Sequence, residues 1–165
     1  MANEFQIELL RSYPGADMLP IDAEDHEAVD RAVREDATGD TLFAFLWKEL
    51  GNAENASAAD LLMSTALDDT RAVYDALVSS SEDENPKAVL ARSYPGRDVI
   101  PVDLDDHVAV DRAVREGSTG DLLFSFLWRE LGDADGVAEA RRMAETALDD
   151  LQAVADSVRQ PSPFA

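Results

Sequence analysis

The chain has 165 residues, no cysteine and a formal net charge of −21 at pH 7, with 35 Asp and Glu against 14 Lys and Arg. Disulfides and thiolate metal centres are therefore excluded, and so acidic a surface repels nucleic-acid phosphates and anionic membranes, so direct binding to either is not expected. The N-terminal MANEFQIELLRS is too polar for a signal peptide and no apolar run reaches membrane-spanning length, which points to the cytoplasm.

Residues 11–51 return without a gap as residues 92–132, with roughly seven in ten positions identical, and a repeat of that length sets the architecture before local arguments begin. Residues 1–80 form a first helical repeat, 81–85 an acidic linker, 86–160 a second helical repeat and 161–165 a tail. A repeat of about 80 residues buries only a modest share of its surface, which favours packing of one copy on the other. The expected fold is all-α: two tandem four-helix repeats packed with approximate two-fold symmetry.

In chain order, a short amphipathic helix over 4–12 uses Phe5, Leu9 and Leu10 and ends at Tyr13-Pro14-Gly15; its counterpart runs from Pro86 to Ser93 through Val89 and Leu90. The stretch ADMLPID, RDVIPVD in the second copy, reads as extended because Pro20 and Pro101 disfavour helix before them. Asp22 and Asp103 then read as N-caps of a second helix reaching Glu35 and Glu116, with Asp25 and Asp106 in the first turn and Ala28, Val29, Ala32 and Val33 on the apolar side. Thr38-Gly39-Asp40 caps a third helix, TLFAFLWKEL, whose core arc is Leu42, Phe43, Leu46, Trp47 and Leu50, with Gly51 as a left-handed stop. A fourth helix over 56–78 buries Leu62, Ala66, Leu67, Val73 and Leu77, matched by Met143, Ala147, Leu148, Val154 and Val158. Its length is on the order of 35 Å.

Chemistry-bearing motifs are sparse. His26 and His107 occupy equivalent positions with an aspartate four residues to either side. Asp22, His26 and Asp30, like Asp103, His107 and Asp111, would line one helix face and could contribute to a divalent-metal site. No standard ligand signature accompanies them, and a boundary histidine with one local hydrogen bond is the plainer reading. In the SYPGxDxxPxD loop, Tyr13 with Asp17, or Tyr94 with Asp98, offers a small recognition surface, against the plainer reading of a tight turn whose tyrosine covers the core edge. Arg11 and Arg92 are placed to pair with those aspartates. Phe45 and Phe126 lie off the core arc, and Leu122 joins Phe126 where the first copy has Thr41. Each needs a cover, either in its own repeat, across the two copies or from a partner.

No nucleophile–base pair, phosphate loop or cofactor motif is present, so enzymatic activity is not expected. The expected function is a non-enzymatic, acidic protein–protein interaction module: an adaptor, a regulatory inhibitor or an assembly factor. Its partner would be a protein, basic or two-fold symmetric, with Phe45, Leu122, Phe126, Tyr13 and Tyr94 as interface candidates. Two alternatives stand beside it: a nucleic-acid mimic that blocks a nucleic-acid-binding protein, and a metal-dependent protein using the two histidine faces. An acidic, lysine-poor surface is also what a salt-rich cytoplasm asks of a soluble protein.

Overall fold

A computed structural model describes residues 3–35 and 37–159, and among these every regular element is helical. The first repeat contains α1 (Glu4–Ser12), a 3-10 turn (Ala16–Met18), α2 (His26–Arg34), α3 (Thr41–Gly51) and α4 (Ala56–Ser79). The second contains α5 (Pro86–Ser93), a 3-10 turn (Arg97–Val99), α6 (His107–Arg115), α7 (Leu122–Gly132) and α8 (Val137–Arg159). The expected tail 161–165, with residue 160, lies outside the described residues.

The chain divides into two compact units, Met1–Leu67 with Asp149–Ala165, and Asp68–Leu148. These boundaries fall inside α4 and α8 rather than at the 81–85 linker. Each unit holds the three short helices of one repeat, the N-terminal half of that repeat's long helix and the C-terminal half of the other's.

In the first unit, α3 is the centre because it is apolar on every side: Leu42 through Trp47 are all buried. A helix hydrophobic all round has to be covered all round. Phe45, off the expected core arc, is therefore only 9% exposed. Helix α1 packs along α3 through Phe5 and Leu9, with Gln6 buried between them. Asn3 and Gln6 form a reciprocal capping box, with Gln6 N–H donating to Asn3 Oδ1 and Asn3 N–H to Gln6 Oε1, both at 2.9 Å. The same two side chains reach α3, Gln6 Nε2 donating to the Trp47 carbonyl at 3.0 Å and Asn3 Nδ2 to the Leu50 carbonyl at 2.8 Å. Gly51 is needed for that approach, since a Cβ there would stand 2.6 Å from Gln6 Nε2. It lies inside α3, not at a left-handed stop; the helix ends on Asn52 in ordinary right-handed geometry. The positive φ falls at Gly39 (75°) and its repeat partner Gly120 (77°), in the turns that lead into α3 and α7.

The ADM of ADMLPID is also not extended. Carbonyls of Tyr13, Gly15 and Ala16 take successive N–H groups of Ala16, Met18 and Leu19 and wind a 3-10 turn. Proline biases the residue before it, and Leu19, directly before Pro20, is extended.

In the second unit, α5 and α6 pack on α7, where Leu123 through Trp128 are buried and Phe126 is 8% exposed. Leu122 is half-buried. Arg141 of α8 closes the end of α4, its guanidinium donating to the carbonyls of Leu77 (3.0 Å), Val78 (3.4 Å) and Ser80 (3.1 Å). The Leu77 carbonyl also takes the Ser80 N–H at 3.3 Å, and a charged donor suits this negative end of the helix dipole.

The buried line of α4 is Ala59, Met63, Ala66, Thr70, Val73 and Leu77; that of α8 includes Ala140, Ala144, Ala147, Leu151, Val154 and Val158. Spacings of three and four alternate throughout, as in a packed helical seam. The larger Leu62, Leu67 and Met143 flank the line and are half-buried instead. Within it Thr70 is fully buried and its hydroxyl has no hydrogen-bond partner among the described residues. An unsatisfied buried hydroxyl costs about 1–3 kcal/mol, and valine keeps the shape without it. Thr70→Val is expected to raise stability by about 1 kcal/mol, read as a higher urea midpoint at unchanged m-value.

Candidate functional site

The acidic loops that open α2 and α6 carry the repeated histidines. Pro20-Ile21-Asp22 leads into a tight turn: Asp22 accepts the Glu24 N–H on its carboxylate (2.9 Å) and the Asp25 N–H on its carbonyl (3.0 Å). Asp25 then accepts the Ala28 N–H at 3.1 Å and is the N-cap. Asp103, Asp105, Asp106 and Ala109 repeat the arrangement. The cap thus falls three residues later than Asp22 and Asp103, because both aspartates of each loop can cap and the first is taken by its own turn. His26 and His107 become the first residues of their helices, and Asp22 and Asp103 leave the helix face.

The last member of each expected triad is also engaged. Asp30 accepts the Trp47 indole N–H at 3.3 Å and pairs with Arg34 at 3.1 Å. Asp111 accepts the Trp128 indole N–H at 3.5 Å and pairs with Arg115 at 3.1 Å and Lys87 at 3.7 Å. The indole hydrogen bond, with the Lys87 and Arg115 charges, holds the Asp111 carboxyl below its usual range. Lys87 also lies over the Trp128 ring, 5.0 Å from its centroid, and His107 meets that ring edge-on at 6.1 Å. Among the described residues no group of three or more His, Asp or Glu side chains is placed to hold a metal ion.

Tyr13 and Tyr94 are buried. Each hydroxyl donates at 2.9 Å to an aspartate, Asp40 or Asp121, whose other oxygen accepts the third-helix N–H of Phe43 or Phe124 at 3.1 Å. The tyrosine rings continue inward onto Phe43 and Phe124, at 5.5 and 5.4 Å. Of the two readings of this loop, the one that covers the core edge matches the burial of both rings. Arg11 pairs with Glu8, and Arg92 with Glu84 at 3.0 Å, rather than with Asp17 and Asp98. Beyond the reach of periodicity, the Asp121 charge acts on Asp69 and the Asp40 charge on Asp150. Burial, then the repulsion of that charge and of Asp68 or Asp149, raises the Asp69 and Asp150 carboxyls above their ordinary range. The residues align between copies, but that each is acted on by the other copy's cap is visible only in the fold.

Two concavities flank the histidines. In the first unit a depression of about 530 Å³ runs beside Glu24, His26, Glu27, Asp30 and Arg31, with charged walls. In the second unit a cavity of about 580 Å³ opens between α5, the 3-10 turn and the loop before α6, with Ala88, Ala91, Val102 and Leu104 among its walls.

Compared with known proteins, the chain matches no family model, no curated protein and no solved structure.

Asp69 and Asp150 give the stability a defined pH slope. Their folded pKa values lie above the unfolded ones, so the folded state binds protons more readily. The penalty is present in full above the folded values and is relieved as pH falls through them toward the unfolded value near 3.8. Asp69→Asn and Asp150→Asn should each raise stability at pH 7 and flatten that gain on acidification, measured by urea unfolding at a series of pH values.

Proposed function

We propose that the chain is a non-enzymatic acidic interaction module, an adaptor, inhibitor or assembly factor, that acts on a basic protein partner in the cytoplasm. The duplicated helical unit presents two similar acidic faces, in the approximately two-fold arrangement that the repeat suggests, and so suits one symmetric partner or two copies of it.

The observation that carries this reading is a repeated exposed apolar side chain on an acidic loop. Met18 is 85% exposed and Val99, its repeat equivalent, 72% exposed. A single exposed hydrophobe needs no explanation. The same exposure at the same position of both copies, between Asp17 and Asp22 and between Asp98 and Asp103, is a contact feature repeated with the fold. Charge steers such an encounter and the apolar tip adds area that stays buried once docked.

No helix among the described residues is long and apolar enough to cross a membrane. The net charge of −21 supports a basic partner by complementarity and disfavours an anionic one. Capture from the native host should return a basic protein that elutes as salt is raised from low to moderate concentration. Met18→Ser and Val99→Ser should each weaken its binding roughly fivefold, about 1 kcal/mol, by titration calorimetry. Elution by added DNA or RNA instead of salt would turn the assignment toward a nucleic-acid mimic.

A further inference from the structure

The second-unit cavity has a sequence origin. Ala88 and Ala91 on α5 correspond to Ile7 and Leu10 on α1, so two large side chains of the first repeat are replaced by methyl groups in the second. The space they would fill is part of the opening of about 580 Å³, whose apolar wall continues through Val102 and Leu104. Ile7 is exposed and Leu10 half-buried in the first repeat, so the two alanines open a surface hollow with an apolar floor among charged groups, a shape that suits one apolar side chain from a partner.

The rim indicates the charge of that occupant. Asp98, Asp103 and Asp105 line the cavity together with Arg92 and Arg97. Arg92 is already paired with Glu84 at 3.0 Å, and Arg97 donates to the Arg92 carbonyl at 2.9 Å. The three aspartates thus outnumber the cations, one of which is neutralised, in a protein of net charge −21. Val99 and Val108, on the turn and helix that bound the same region, are both largely exposed.

We propose that this cavity is the anchor point for a basic segment of a protein partner. An apolar side chain of that segment enters between Ala88, Ala91, Val102 and Leu104, and its flanking lysines or arginines meet Asp98, Asp103 and Asp105. The assignment rests on the acidic interaction module proposed above and gives its two faces different tasks. Both units offer charge and an exposed apolar tip, Met18 or Val99; the second adds a cavity that reads an apolar residue within the basic sequence.

The test uses the full-length protein at low salt and three short fluorescent peptides: lysines around one leucine, lysines around one glycine, and glutamates around one leucine. The lysine–leucine peptide is expected to bind at least about tenfold more tightly than the lysine–glycine one, the discrimination worth of one buried apolar side chain. Replacing Ala88→Ile and Ala91→Leu together restores the residues of the first repeat and should abolish the difference, bringing lysine–leucine binding down to the level of the lysine–glycine peptide. Leu104→Ala, which installs the first repeat's Ala23, should also reduce the difference and serves as the readout if the double variant loses its helical circular dichroism. Equal binding of the two lysine peptides, or tighter binding of the glutamate peptide, overturns the cavity assignment. In the first of those cases the acidic module still stands, whereas binding of none of the peptides overturns both.

Discussion

One carboxylate in each unit holds the arrangement in place. Asp40 caps α3 through the Phe43 N–H and receives the Tyr13 hydroxyl from the end of α1, fixing two helices to a single atom group. Asp121 does the same for α7 and Tyr94. An N-cap alone is worth about 0.5–2 kcal/mol, and here the same side chain also sets the angle at which the tyrosine enters the core. From that ring the aromatic line continues through Phe43 to Trp47, whose indole reaches Asp30 on α2. The three short helices are thus tied by two aspartates and three rings. The cost is local: the charge of each cap repels a half-buried carboxyl on a long helix, Asp150 in the first unit and Asp69 in the second.

Much of this was legible as helix punctuation. Glu4–Ser12, Pro86–Ser93 and the third and fourth helices emerge near their expected bounds, because Pro, Gly and capping residues recur in both copies. The second helix was misplaced at its start because Asp22 and Asp25 have the same capping chemistry, and only the turn that consumes Asp22 separates them. Gly51 reads as a terminator from the letters alone, whereas its role depends on Gln6, forty-five positions away in sequence, approaching it. The buried line of the long helices was read in part: Ala66, Val73, Leu77, Ala147, Leu148, Val154 and Val158 are buried as expected, whereas the large Leu62, Leu67 and Met143 drew attention away from Ala59, Thr70 and Ala144. Of the chemistry-bearing positions, the tyrosines and histidines were visible as repeated letters, but their partners Asp40, Asp121 and Trp128 were not.

The copies are unequal in ways that bear on binding. Gln6 supports a capping box in the first unit, while Lys87 at the same repeat position lies over Trp128 and pairs with Asp111. Ile7 and Leu10 give way to Ala88 and Ala91, and Ala16 gives way to Arg97 beside the opening thus made. The core of the third helices is shared, the long helices diverge most in letters, and the exchanges that line the opening lie on α5, on the turn that follows it and in the loop before α6. Duplication supplied two equivalent surfaces, and a few exchanges of size and charge made them distinct.

The division of the chain into units also fixes an order of events during synthesis. The second unit is one uninterrupted stretch, Asp68–Leu148, and has all its residues once that stretch has left the ribosome. The first unit takes its last helix half from Asp149 onward, so residues made first wait longest for their cover. Until then α1 and α2 can already pack on α3, but the unit lacks the residues it takes from α8. The second-made unit of this protein is therefore the first to have all its residues, and the first unit closes only after Asp149 and the residues beyond it have been made.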